Sequence, residues 1–200
     1  MRVFFALPID GKTRLGIDQW RSQSFPPFKG IVPAANYHIT LAFLGALPAV
    51  RLEDLCQKVD SLLDKHGLEK APFQPGTLQI NQTGYWSKPG ILWVGPDHWS
   101  SSLGRLAVKL SNICCQFGAK KDKQAYQPHI TLVRKCQSPH KPVIEPDFTL
   151  HFDRVTLFET KPTKRGVGYH PVQEWALTER EQINDGTVVR GRSRRIATRS

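Results

Sequence analysis

The chain has 200 residues, 40% of them hydrophobic and 22% charged, so it can bury a core without disulfide staples and has the balance of a soluble globular protein. Lysine and arginine number 28 against 17 acids, a formal charge of +11, and no apolar run approaches the roughly 20 residues that span a bilayer. A helical membrane protein is thereby excluded. Cys56, Cys114, Cys115 and Cys136 show no CxxC spacing and read as reduced thiols, which excludes a disulfide scaffold.

In chain order, "RVFFALPI" reads as a strand closed by Pro8, without the small-residue cleavage site of a signal peptide, so a cytoplasmic location is expected. Gly11 to Gln23 carries Leu15, Ile17 and Trp20 among polar residues and predicts an imperfect amphipathic helix. "PPFKG" and "VPAAN" are breakers, and "YHITLAFLG" is a strand ended by Gly45. Apolar positions 52, 55, 59, 62 and 63 predict a helix, with Gly67 as its stop. "FQPGTLQINQTGYW" and "GILWVGP" read as strands around an "SKPG" turn. Trp99 to Phe117 places Leu103, Leu106, Ala107, Leu110 and Cys114 on one helical stripe. "YQPHITLVRK" is the next strand, and "FTLHFDRVTLFET" and "YHPVQEWAL" follow, separated by the polar "KPTKRGVG".

The tetrapeptide His-Ile-Thr-Leu therefore occurs twice, with its histidines 91 positions apart. Strand, helix, loop and "HITL" recur in the same order, with 34 residues from Phe4 to His38 and 37 from Leu92 to His129. This order reads as an internal duplication that builds two similar lobes about a pseudo-two-fold axis. Residues 1–178 are expected to form one bilobal domain. Residues 179–200 hold six arginines and three acids and are expected to be a mobile basic tail. The remaining 178 residues keep +8, so the folded body should present a positive face to a polyanion.

In a strand, alternate side chains share a face. Ile39, Leu41, Ile130 and Leu132 would face the core, which leaves His38 with Thr40, and His129 with Thr131, on the other side. One buried histidine would ordinarily be a satisfied core group; two identical strands point to a shared site. Two imidazoles can serve as general base and general acid near neutral pH, and hydroxyls can donate to phosphate oxygens. A zinc site is disfavoured because each strand offers a single good ligand. "DGKTR" at residues 10–14 echoes a phosphate-binding loop but has Ala6 where the pattern needs glycine.

On "YHITLAFLG", "QPHITLVRK" and "RVFFALPI", the chain resembles the 2H phosphoesterase superfamily, and within it the bacterial RNA 2′,3′-cyclic phosphodiesterase branch, historically called 2′–5′ RNA ligase. The resemblance covers roughly residues 1–178. It implies an α+β fold of two antiparallel sheets flanked by helices, with the motifs facing across a central cleft. It implies hydrolysis of an RNA 2′,3′-cyclic phosphate end to a 2′-phosphomonoester without a metal; a monomer with no cofactor and no membrane partner is expected. His38 then corresponds to the proton donor and His129 to the proton acceptor, with Thr40 and Thr131 holding the phosphate. Arg134 fits the family's "HITLxR" pattern and suits phosphate or RNA, although strict alternation puts it on the face opposite His129 unless the strand bulges. Phe43, at the equivalent place in the first half, could stack on a base but reads more readily as core. A 2′–5′ RNA ligase, another cyclic-nucleotide or 2′–5′ phosphodiesterase, or a non-catalytic RNA-binding module are the alternatives.

Overall fold

The computed structural model describes residues 1–63, 73–121, 124–164 and 166–177. The predicted Gly67 helix stop and the 179–200 tail lie outside them. The elements run β1 (Arg2–Pro8), α1 (Gly11–Ser24), β2 (His38–Ala46), α2 (Leu52–Leu63), β3 (Gly76–Ile80), β4 (Gln82–Trp86) and β5 (Ile91–Gly95), then α3 (Ser101–Gln116), β6 (Ile130–Arg134), β7 (Phe148–Phe152), β8 (Arg154–Thr163) and β9 (Gly166–Ala176). A short 3₁₀ turn, Ala34–Asn36, leads into β2.

Helices α1 and α3 start where a polar side chain supplies an acceptor for a free backbone N–H. The Asp10 carboxylate accepts from the Thr13 N–H at 2.9 Å, and the Ser100 hydroxyl accepts from Leu103. Helix α3 buries the predicted stripe of Leu103, Leu106, Ala107, Leu110 and Cys114 and adds Ile113. Helix α1 buries Ile17 and Trp20, but Leu15 is exposed to solvent, so the apolar face is narrower than its sequence suggests. The four cysteines are unpaired.

The strands form a four-stranded sheet in the order β2-β1-β8-β9, a three-stranded sheet β4-β5-β6 and a two-stranded pair β3-β7, all antiparallel. Three sheets thus replace the two expected. The difference arises because β3 and β7 pair with each other along their whole length. β1 and β2 flank α1 in sequence as β5 and β6 flank α3, and each such pair takes its third strand from the other half, β8 on β1 and β4 on β5. A single buried cluster joins Phe5, Leu7, Ile39, Leu55, Leu92, Leu110, Ile130 and Leu157. Each such side chain withdrawn from water contributes about 1.5–3 kcal/mol.

The polar "KPTKRGVG" segment does not separate two strands by a loop. β8 and β9 pair through it as far as Thr163 opposite Gly166, forming one long hairpin.

The segment before β2 is stitched to β6. Ile31 bridges Val133, the Val32 N–H donates to the Leu132 carbonyl at 2.9 Å, and the Arg134 N–H donates to the Gly30 carbonyl at 2.8 Å. Gly30 makes this approach possible. Its φ is +85°, and a Cβ there would lie 2.3 Å from the Arg134 carbonyl oxygen. Gly30→Ala should therefore cost about 2 kcal/mol or more, through backbone strain and a clash that no rotamer relieves. Urea unfolding checks this: the midpoint should drop with an unchanged slope, and an unchanged midpoint would contradict the packing described.

Candidate active site

Alternation along β2 and β6 works as the sequence predicts at the motif. Ile39, Leu41, Ile130 and Leu132 are buried, whereas His38, Thr40, Thr131 and His129, which immediately precedes β6, are only partly covered. β2 and β6 are in contact, and His38 lies within electrostatic reach of both His129 and Arg134. The two motifs thus meet at one place.

Both imidazoles are held in the same way. His38 Nδ1 lies 2.7 Å from the Asn36 carbonyl oxygen, and His129 Nδ1 lies 2.9 Å from that of Gln127. A carbonyl can only accept, so Nδ1 carries the hydrogen in each ring and Nε2 is left as the proton-exchanging atom. His38 Nε2 stands 3.0 Å from Thr40 Oγ1, which donates to it while the ring is neutral. Gly95 serves the second histidine: a Cβ there would lie 2.5 Å from the Pro128 carbonyl oxygen, so only glycine lets the chain entering His129 come this close.

Aromatic rings surround each imidazole. Phe4 on β1 lies 4.9 Å from the His38 ring, and Tyr169 on β9 meets it edge-on at 5.0 Å. Trp86 on β4 meets His129 edge-on at 4.5 Å. This collar is absent from the sequence reading, because Phe4, Trp86 and Tyr169 each sit in strand-like runs where an aromatic residue is ordinarily core.

Arg134 is on the histidine side. The β5–β6 register runs Trp93 to Thr131 and then Leu92 to Val133, leaving Leu132 as an extra residue, a β-bulge. The bulge shifts the parity, so Arg134, opposite Ile91, shares a face with Trp93 and Thr131. The β1–β2 register slips in the same way between Thr40 and Ala42, and Phe43 returns to the face of His38 and Thr40. Phe43 is 52% exposed and stacks on Phe4 at 5.5 Å, so its reading as core is corrected. The bulges give the two halves different groups at matching places: a guanidinium on the face of Thr131 and a ring on the face of His38.

Burial drives the His38 pKa down to about 4, and the positive charges of His129 and Arg134 push the same way. Burial also lowers that of His129, helped by Arg134. Both rings are therefore neutral at pH 7 in this structure. Among the described residues no group of three or more His, Cys, Asp or Glu side chains is placed to hold a metal ion. No described helix is long and apolar enough to cross a membrane.

A histidine with a depressed folded pKa costs nothing above its unfolded value near ~6.5, because both states are then neutral. Below that value the unfolded chain takes up the proton first, so stability falls as pH drops from about 6.5 towards 4 and then levels off. His38→Gln should flatten this acid limb. Denaturant unfolding at a series of pH values tests it; an equally steep limb in the variant would show that the rings around His38 do not shield it from its proton as described.

With this geometry in hand, the chain can be compared with known proteins. The family model described as the 2′-5′ RNA ligase superfamily matches residues 8–160. An Escherichia coli K12 protein named RNA 2′,3′-cyclic phosphodiesterase is 32% identical over 182 residues, covering 89% of this chain and 97% of that protein. A crystal structure of E. coli LigT complexed with 3′-AMP superposes with a TM-score of 0.79 at 28% identity, covering 89% of this chain and 98% of that one. A Thermus thermophilus protein of known structure shares the fold with a TM-score of 0.69 at 22% identity, covering 91% of this chain and all of that one. The paired motif strands, the breadth of these matches and the common fold lead to one conclusion: the chain belongs to the 2′-5′ RNA ligase superfamily.

Proposed function

We propose that the chain hydrolyses a 2′,3′-cyclic phosphate at an RNA end to the 2′-phosphomonoester, with His38 as proton donor and His129 as proton acceptor. The observation that carries this reading is the pair of imidazoles with Nδ1 committed to a backbone carbonyl, which leaves Nε2 of each ring to exchange a proton. The likeness to proteins named RNA 2′,3′-cyclic phosphodiesterase supports it. The partner is an RNA carrying that cyclic end, and the chain acts as a monomer in the cytoplasm.

In this mechanism a water oxygen attacks phosphorus while His129 Nε2 removes its proton. The bond from phosphorus to the 3′ oxygen breaks, and that oxygen takes a proton from His38 Nε2, which leaves the phosphate on the 2′ oxygen. Thr40 and Thr131 donate to the non-bridging oxygens as their charge grows. Arg134 approaches the same anion from the β6 side with a guanidinium suited to two oxygens at once.

Neutral histidines suit a base but not yet an acid. The phosphate anion supplies the missing factor: a negative charge next to a buried imidazole favours its protonated form, so substrate and proton enter the site together. His38 is charged only when there is a phosphate for it to serve.

The test is incubation with a short RNA ending in a 2′,3′-cyclic phosphate, in excess chelator, with the monoester identified by ³¹P NMR. The expected product is the 2′-phosphate, and His38→Ala or His129→Ala should each slow its formation about 10²–10⁴-fold without loss of fold. Formation of the 3′-phosphate, or near wild-type turnover in either variant, would contradict the assignment. No conversion by folded wild-type protein would favour RNA binding without catalysis.

A further inference from the structure

The β8–β9 hairpin is longer than the sheet it belongs to. β8 pairs with β1 over Thr156–Glu159, with Glu159 opposite Val3, and beyond that point the described strand pairing is between β8 and β9. Asn36 lies towards the opposite end of the sheet, just ahead of the pairing of His38 with Pro8. In a flat sheet the hairpin tip and Asn36 would be more than roughly 30 Å apart. They touch. The Asn36 side-chain amide donates to the Val167 carbonyl at 2.8 Å, across 131 residues of sequence. The hairpin therefore folds back over the face that carries His38, and Tyr169 is brought edge-on to both His38 and Phe4.

Asn36 is a buried polar residue with two separate tasks. Its backbone carbonyl accepts the His38 Nδ1–H, and its side-chain amide holds the hairpin. The second motif has no such arrangement, since Gln127 turns its amide towards the neighbouring Pro128 carbonyl at a long 3.5 Å. A residue needed only to complete the 3₁₀ turn would not require an amide directed at a strand from the far end of the chain.

We propose that Asn36 is a positioning residue: its amide clamps the β8–β9 hairpin over His38, so that Tyr169 fixes the imidazole plane and keeps water from it. The inference rests on the two-histidine reading above and extends it to a residue that need not touch substrate. Val167 offers a backbone carbonyl, so on the hairpin side the clamp depends on the hairpin's conformation and not on the identity of that side chain. The rings packed against His38 come from β1, β8 and β9, as Phe4, Phe158 and Tyr169, and the charged groups acting on it are His129 and Arg134.

Asn36→Leu keeps the backbone carbonyl and removes the amide donor, and Tyr169→Ala removes the ring that the clamp delivers. Each should lower kcat about 10-fold, the factor expected from one lost hydrogen bond or packing contact, with KM within about 2-fold. The double variant should be no worse than the poorer single one, because both break the same link. In NMR titrations of the imidazole, the His38 signal should move from its depressed value towards ordinary histidine in both variants. Unchanged kcat in Asn36→Leu would overturn the proposal. So would an unmoved His38 titration with a lowered melting temperature, which would leave Asn36 a purely structural role. The titration needs no substrate, so it decides the clamp even if the wild type fails to open a cyclic phosphate.

Discussion

The site depends on one constraint, the burial of Ile39, Leu41, Ile130 and Leu132 on the inner faces of β2 and β6. Each of these side chains gains about 1.5–3 kcal/mol by leaving water, and a slip of one residue in either strand would forfeit that gain and bury the histidines instead. The hydrophobic core therefore aims the chemistry. His38, Thr40, His129 and Thr131 face away from the core because their neighbours must face it, and contact between the two strands brings the imidazoles together. Backbone carbonyls two residues upstream then set each ring's tautomer without using any further side chain.

The surroundings of the two rings set their charge. Aromatic walls withdraw both imidazoles from water, and the guanidinium of Arg134 opposes any proton added to either. Each effect alone disfavours the acid form, and together they keep the pair neutral at pH 7. Arg134 disfavours a proton on either ring, and in the proposed mechanism the same guanidinium would attract the phosphate that restores it. The asymmetry between the halves, arginine on one side and Phe43 on the other, gives an otherwise similar pair of strands a polarity.

Local pattern in the sequence carries much of this. The strand parity of each motif, the apolar stripe of α3 and the pairing of His with Thr follow from alternation and periodicity within a few residues. What escaped was long-range. Arg134 and Phe43 lie on the site face only because a bulge shifts the parity, and each bulge is defined by the partner strand's register. The pairing of β3 with β7, which splits off a third sheet, joins segments about 70 residues apart that carry no mark of each other. "KPTKRGVG" reads as a loop because a hairpin open to solvent needs no apolar alternation, yet strand pairing runs through it. Asn36 looked like part of a turn, and only the returning hairpin reveals its second partner.

Whether two histidines divide the proton transfers is tested most directly by the pH dependence of kcat/KM in the wild type and in His38→Ala and His129→Ala. The wild type should give a bell whose limbs lie below the ordinary histidine value of ~6.5, since kcat/KM reports the free enzyme, in which both groups are depressed. Each variant should lose one limb, and the two should lose opposite ones. A bell that survives intact in either variant, or a flat profile in the wild type, would contradict it.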